Sequence, residues 1–317
     1  MTAVRRRIGA VILTHNSSED LLECLTGLQA QQGVDLMVIV VDNASDPNEL
    51  MRLEAIFKEA LPDGQILAAK GASDHVSPAV FICNETNSGY SQGNNIGARF
   101  AAGAGCEAVL IVNPDVQIED PDYLRNLFDL ITADAKTAIA CTVLTNLMGS
   151  HENPMHEPTF YEELLWPMQM IIYQFFPQKR IEKTFSSKPQ LVEKVSGACF
   201  LIRMDFLRHI GFFDEKVFLY CEESILSSQV RRLGWHMMMD PCLYAIHAHR
   251  TNIKNDPLFC FRIWAKSRSI FHADENRYGL TGQALLSGSR YLILGLIWTR
   301  IFFKRVIRVL AEMRNRI

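Results

Sequence analysis

Short, continuous runs of apolar and largely β-branched residues constrain this chain more than any other feature. Arg7 to Thr14 (RIGAVILT), Leu36 to Val41 (LMVIVV), Val80 to Cys83 and Ala108 to Val112 all read as strands buried on both faces. Between them the apolar spacing changes to that of helices, over Ser18 to Gln31, opened by Ser17 or Ser18, and over about Gln92 to Ala102. Strands alternating with helices predict an α/β fold, a doubly wound and mostly parallel sheet. The first 145 residues therefore read as a nucleotide-binding half, whose ligands belong outside the carboxyl ends of the strands.

A chain of 317 residues holds one large or two modest domains, and 48% hydrophobic residues are ordinary for a folded core, which excludes disorder and fibres. The eight cysteines are scattered without a Cys-x-x-Cys pair, so neither a zinc ribbon nor a disulfide framework is expected, and a reducing cytoplasm suits them. Met1 to Arg7 is basic, but the apolar run after it is short and is broken by Thr14-His15-Asn16, so no secretory signal is expected.

Beyond residue 145 the character shifts. From about 146 to 190 the chain is rich in Pro, Met, His and aromatic residues with weak periodicity, which reads as an irregular or partly helical insertion forming an acceptor-side lid. Regular structure is expected again at Val192 to Arg203, in a helix from Glu223 to Leu233, a strand around Leu243 to His247 and a helix from Pro257 to about His272. The expected division is a domain over 1–250, with halves 1–145 and 146–250, followed by C-terminal helices over 251–317.

Residues 283–317 carry a charge balance of +6 in a chain whose total is −3. Interrupted by Ser287, Ser289, Arg290 and Arg300, the tail from Ala284 is not a spanning helix. It is amphipathic, with Ile297, Ile301, Phe302, Val306, Leu310 and Met313 on one side and Arg300, Lys304, Arg305 and Arg308 on another. That arrangement suits an anionic membrane surface, and its alternative is a helix docked on the body or on a second subunit.

Several strand ends carry polar groups suited to chemistry. Ile111-Val112 runs into Asn113-Pro114-Asp115, and a carboxylate at the mouth of a buried strand can hold a divalent metal against a diphosphate. Thr14-His15-Asn16 and Asp42-Asn43-Ala44-Ser45 end the first two strands, where Asp42 can accept from a base or a ribose hydroxyl or can cap a turn. The segment Asn87-Ser88-Gly89-Tyr90-Ser91-Gln92-Gly93-Asn94-Asn95-Ile96-Gly97 allows close backbone approach to a ligand, or close helix packing. It is neither a Walker loop nor the dinucleotide fingerprint, which disfavours a nicotinamide oxidoreductase.

Together these pieces resemble family 2 glycosyltransferases of the GT-A fold, in particular the bacterial rhamnosyltransferase-like group. The resemblance covers about residues 7 to 270 and includes Gly211-Phe212-Phe213-Asp214-Glu215 followed by Phe218-Leu219-Tyr220-Cys221-Glu222-Glu223. It implies that Asp115 holds Mg2+ or Mn2+, with His247 completing the site; His249 would share its side if the strand continued. Nucleotide-sugar contacts are implied for Thr14, Asn16, Asp42, Asn43, Asn87, Gly89, Asn94, Asn113 and Arg268, and an approach for the acceptor at Gly197 and Ala198. The family's base lies in a Glu-Asp-x-Asp segment, matched here by Glu222-Glu223-Ser224-Ile225, so Glu223, or Glu222, takes the place of the base Asp and Ile225 replaces the second Asp.

The expectation is an inverting, metal-dependent transferase that moves L-rhamnose from dTDP-rhamnose to a lipid-linked oligosaccharide in bacterial surface polysaccharide (O-antigen) synthesis. It would work in the cytoplasm, peripherally bound to the inner face of the cell membrane, with no nucleic-acid partner and with homo-oligomerisation open. The alternatives are a UDP-sugar donor, such as a galactofuranosyl or hexosaminyl donor, and an inactive transferase-like scaffold.

Overall fold

The computed structural model describes residues 6–69, 77–176, 185–248, 256–275 and 277–314. His249 lies outside the described residues, as do the side chains of Lys304, Arg305, Val306, Arg308, Leu310 and Met313. The chain divides into two units, one of residues 1–156 and 183–251 and one of residues 157–182 and 252–317.

The first unit is built on a ten-stranded sheet. Its strands are β1 (Arg7–Thr14), β2 (Asp35–Asn43), β3 (Gln65–Ala68), β4 (Ala79–Asn84), β5 (Ala108–Val112), β6 (Val116–Gln117), β7 (Thr137–Asn146), β8 (Gln190–Val192), β9 (Cys199–Arg203) and β10 (His236–His247). They run in the order β3-β4-β2-β1-β5-β9-β7-β10-β6, with β8 on β10. From β3 to β5 all pairings are parallel, as the buried apolar runs require, while β9 is antiparallel to β5 and to β7.

Helices cover both faces of this sheet. Ile8, Ala10 and Ile12 of β1 pack towards α1 (Ser18–Gln29), α2 (Pro47–Ala60) and α4 (Tyr123–Ala133), through Leu21, Leu25, Phe57 and Phe128. Val11 faces the opposite layer, formed by α3 (Tyr90–Gly103), α6 (Met204–His209) and α7 (Glu222–Arg232). Fully burying side chains of this size contributes about 1.5–3 kcal/mol each, so one layer alone fixes which face of β1 points where. Helix α3 lies close against the sheet because Gly93 and Gly97 have no side chain. A Cβ there would fall 2.4 Å from Leu13 and 2.5 Å from Val11. Helix packing, rather than ligand approach, accounts for this part of the glycine spacing.

The second unit contains α5 (Phe160–Phe175), α8 (Pro257–Asp274) and α9 (Gly279–Arg314). The segment expected to be irregular or partly helical, about 146–190, contains one 16-residue helix, α5. It opens with a capping box, in which the Glu162 amide donates to the Thr159 hydroxyl and the Thr159 amide donates to the Glu162 carboxylate. Its periodicity is weak in the sequence because its outward face, with Leu165, Met168 and Ile172, is as apolar as its inner one. Among the described residues no helix is long and apolar enough to cross a membrane.

Candidate active site

The loops after β1 and β2 are tied to each other at the carboxyl edge of the sheet. Thr14 is buried and its hydroxyl donates to the Val41 carbonyl (3.3 Å). Asn16, at φ +53°, donates its amide to Ser45 Oγ and accepts from the Asp46 amide, both at 2.8 Å. Asp42 is buried and accepts from the Ser45 amide (3.1 Å) and the Ser45 hydroxyl (2.5 Å). Of the two readings of Asp42, the structure displays the turn cap.

The amides of Asn43, Asn87 and Asn94 make hydrogen bonds in and around the next loop. Asn43 donates to Asn87 Oδ1 (3.0 Å) and to the Gly89 carbonyl (3.2 Å), and accepts from Asn84 (2.9 Å). Asn87 Oδ1 also accepts from the Gly89 amide (3.0 Å). Gly89 has φ +100°, and a Cβ there would fall 2.1 Å from the Phe218 carbonyl, so only glycine allows the 218–221 loop to close on it. The Tyr90 amide donates to that same carbonyl (2.9 Å). Asn94 is buried, with its Nδ2 donating to the Tyr90 carbonyl (3.1 Å) and its Oδ1 without a partner among the described residues.

Strand pairing assembles the carboxylate and imidazole pair. After Asn113-Pro114-Asp115 the chain enters β6, which pairs antiparallel with the end of β10, so that His247 lies opposite Val116. The Ala248 amide donates to the Asp115 carbonyl (2.7 Å). These pairings leave His247 Nε2 3.1 Å from Asp115 Oδ1 and His247 Nδ1 2.6 Å from Glu152 Oε2. Glu152, which the sequence reading missed, reaches this point because its amide donates to Leu144 of β7, the strand beside β10. Burial disfavours the charged imidazolium, but hydrogen bonds to Asp115 and Glu152 and their negative charge outweigh it, raising the His247 pKa to about 9.

Glu222 and Glu223 open α7 after two consecutive left-handed residues, Tyr220 (φ +67°) and Cys221 (φ +69°), a costly conformation for side-chain-bearing residues. A helix turns about 100° per residue, so the two carboxylates diverge. Glu222 lines a small pocket of about 10 Å3 with Ser91, Phe213 and Leu226. Its Oε2 has no hydrogen-bond partner there among the described residues. Burial and then the charge of Glu223 push its pKa well above the usual carboxylate range. Glu223 lies instead beside Gly197, where a Cβ would be 3.1 Å from Glu223 Oε1 and 3.2 Å from the Tyr90 hydroxyl.

Tyr90 is a further residue that the sequence reading did not single out. Its hydroxyl donates to the Gly197 carbonyl (2.5 Å), and burial, with the charges of Glu222 and Glu223, holds its pKa well above the ordinary phenol value. Ala198 completes the connection, since its carbonyl accepts from the Asn113 amide (2.8 Å), extending the β5–β9 ladder. Asn113, Ala198, Gly197, Tyr90 and Glu223 are therefore linked in sequence along one edge. Their separation in the chain hides this: the only available signal was Gly197-Ala198 immediately before an apolar strand.

Arg268 requires a correction. Expected on a diphosphate, it is instead buried within the second unit, where its guanidinium lies 2.6 Å from Glu157 and 2.5 Å from Glu163. A guanidinium so enclosed and doubly paired has little capacity left for a ligand.

As to donors for a cation, Asp115 offers a carboxylate oxygen and His247 an imidazole whose second nitrogen is held by Glu152, the usual arrangement behind a metal-bound histidine. Among the described residues no group of three or more His, Cys, Asp or Glu side chains could hold a metal ion. Asp115 and His247 thus supply two donors, a carboxylate oxygen and an imidazole nitrogen, of kinds that divalent cations accept.

Comparison with known proteins agrees with this architecture. The chain is 26% identical over 292 residues to the low-salt glycan biosynthesis hexosyltransferase Agl10 of Haloferax volcanii, covering 87% of this chain and 88% of that protein. It is 26% identical over 178 residues to the N-acetylglucosaminyl-diphospho-decaprenol L-rhamnosyltransferase of Mycobacterium tuberculosis, covering 53% of this chain and 55% of that one. Its fold matches that of the mannosyltransferase PcManGT from Pyrobaculum calidifontis, solved with GDP-Man and Mn2+, with a TM-score of 0.57 and 16% identity, covering 92% of this chain and 70% of that one. The fold is accordingly GT-A, a mixed α/β sheet with C-terminal helices. The model for glycosyl transferase family 2 matches residues 10–211, most of the chain, and the protein belongs to that family.

Proposed function

We propose that the protein is an inverting glycosyltransferase that moves L-rhamnose from dTDP-rhamnose to a lipid-linked saccharide in surface polysaccharide synthesis. The observation that carries this reading is the placement of Glu223 beside Gly197, at the edge where the Asn113-Pro114-Asp115 turn leaves β5. Glu223 accepts the proton of an acceptor hydroxyl approaching over Gly197 and Ala198, and the oxygen so activated displaces the nucleotide diphosphate in line, inverting the anomeric carbon. The Tyr90 hydroxyl, engaged with the Gly197 carbonyl, positions that approach. Asp115 and His247 would hold Mg2+ or Mn2+, whose charge would offset that of the departing diphosphate. Rhamnose as the sugar and a lipid diphosphate as the acceptor's carrier rest on the activity of the mycobacterial relative.

The carboxylate chosen as base follows from the divergence at α7. Glu222 lies towards Phe213 and Leu226, where burial and the charge of Glu223 disfavour its ionised form, whereas Glu223 lies beside Gly197. We further infer a place at the inner face of the cell membrane, reached through the C-terminal helix. A screen of dTDP-rhamnose, UDP-galactofuranose and UDP-hexosamines for thermal stabilisation, with and without Mn2+, tests donor and metal together. Stabilisation by dTDP-rhamnose that increases with Mn2+ supports the reading, a response to UDP-sugars alone replaces the donor, and binding without turnover on a polyprenyl-diphosphate acceptor rejects the enzyme.

A further inference from the structure

The second unit distributes polarity in an unusual way. Glu157, Glu163, Arg268, His272 and Arg290 are all buried in it. Arg290 reaches Glu163 (3.1 Å) on the same carboxylate that holds Arg268 and His272. The outward face of α5, by contrast, presents Tyr161, Leu165, Met168, Ile172 and Phe175, the two end residues each 71% exposed. Helix α9 likewise turns Arg290 inward and Tyr291, Leu292 and Trp298 outward. Ions paired inside and large apolar groups outside suit surroundings of low dielectric, and aromatic side chains of this kind favour the membrane interface.

Between α8 and α9 an open groove of about 360 Å3 is lined by Arg262, Lys266, Ser269, Ser287, Arg290 and Tyr291. Arg262 and Lys266 are exposed and make no ion pair among the described residues. Arg290 is 7% exposed, and although one of its terminal nitrogens donates to Ser269 (2.7 Å), its Nε is buried without a partner among the described residues. The two exposed cationic side chains, Arg262 and Lys266, and the Tyr291 phenol match the acceptors and the charge of a phosphate ester, while Arg290, already held by Glu163 and Ser269, forms the floor of the groove, and the apolar faces beside them match the acyl chains.

We propose that the α8–α9 groove binds the phosphate of an acidic membrane phospholipid. This deepens the membrane reading above and rests on it, but it moves the recognition of the headgroup from the end of the tail to Arg262 and Lys266. The charge complementarity of the groove argues for a lipid as occupant over a second copy of the chain.

The test uses the full-length protein and vesicles of phosphatidylcholine with and without phosphatidylglycerol. The wild type should prefer the acidic vesicles, and the double variant Arg262→Gln, Lys266→Gln should partition to them roughly twenty- to thirtyfold more weakly, from the attraction usual for two basic residues at such a surface. Because both side chains are exposed and unpaired, its thermal unfolding should match the wild type. Short-chain phosphatidylglycerol below its micellar concentration should slow amide hydrogen exchange in α8 and α9 of the wild type and not of the variant. Undiminished binding by the double variant overturns the groove while leaving the membrane reading in place. Equal protection by inorganic phosphate overturns the lipid as the source. Failure of the wild type to bind any vesicle, or a dimer that buries the α5 stripe in its place, overturns both readings.

Discussion

His247 Nε2 lies 3.1 Å from Asp115 Oδ1, across 132 residues of sequence, because a two-residue strand, Val116–Gln117, pairs with the last two residues of β10. The pairing sets an imidazole against a carboxylate at the end of a buried strand, and Glu152 secures the ring from its other side.

If this pair holds a cation, binding must displace a proton. His247, with a pKa of about 9, is an imidazolium at neutral pH, and a metal on Nε2 requires the neutral ring. Titration of Mn2+ with donor into the protein at pH 7, in buffers of differing ionisation enthalpy, should show release of about one proton and an affinity that rises about tenfold per pH unit towards pH 9. Asp115→Asn should abolish Mn2+-dependent donor hydrolysis and, because it removes one of the two carboxylates that hold the His247 imidazolium, should also lower the unfolding temperature while the fold is retained. No proton release, or full activity of Asp115→Asn, would remove the site.

The two carboxylates of α7 should respond oppositely to amide substitution. Glu223→Gln removes the proton acceptor and should lower kcat by about 10²–10⁴-fold at nearly unchanged donor affinity. Glu222→Gln puts a neutral group of the same shape where burial already disfavours the ionised carboxyl, and should stay within severalfold of the wild type. A larger loss at Glu222 than at Glu223 would reverse their roles.

Gly197→Ala tests the approach over the backbone. The added Cβ would stand 3.1 Å from Glu223 Oε1 and 3.2 Å from the Tyr90 hydroxyl, tighter than ordinary contact, so the base must shift by a few tenths of an ångström. Turnover should fall about tenfold or more while circular dichroism and donor binding are retained, since displacements on this scale suffice to misalign a reacting pair. Tyr90→Phe should show the same pattern in a weaker form, as the hydroxyl's bond to the Gly197 carbonyl is lost.

Acid should weaken the helical unit through Glu163. Burial would raise this carboxyl, but hydrogen bonds from His272 and Arg268 and their charge outweigh it and lower its pKa from 4.5 to about 2. A depressed folded-state value stabilises above the unfolded pKa and is lost as pH falls through the folded one, so the contribution, on the order of a few kcal/mol, should disappear between about pH 4.5 and 2. Glu163→Gln should remove that part of the acid titration and destabilise the protein at pH 7 by about 3–5 kcal/mol, because Arg268 loses one partner inside the protein. Acid unfolding followed by ellipticity at 222 nm, with the wild type and Glu163→Gln giving the same curve, would refute the assignment.

How much was legible in the sequence varied with the range of the interactions involved. Strands β1 and β5 are found at their expected ends, and α1, β2, β4, α3, α7 and α8 lie within a few residues of expectation, because each depends on its own pattern of burial. The antiparallel β9 between β5 and β7 was not legible, since nothing local to Cys199–Arg203 indicates which strands will flank it. Helix α5 was obscured by its apolar outer face.

The sequence by itself determined the class of fold, the strand ends where chemistry would occur and the residue types found there, because periodicity and strand termini are encoded locally. Only the tertiary structure decided which of these residues meet and what surrounds each. It engaged Asp42, Asn43 and Asn87 in hydrogen bonds within and between their loops and enclosed Arg268 in an ion cluster. It also brought Glu152 and Tyr90 to the edge and separated Glu223 from Glu222. Those outcomes depend on desolvation and on which groups meet across the sheet, and both arise only once distant segments have packed.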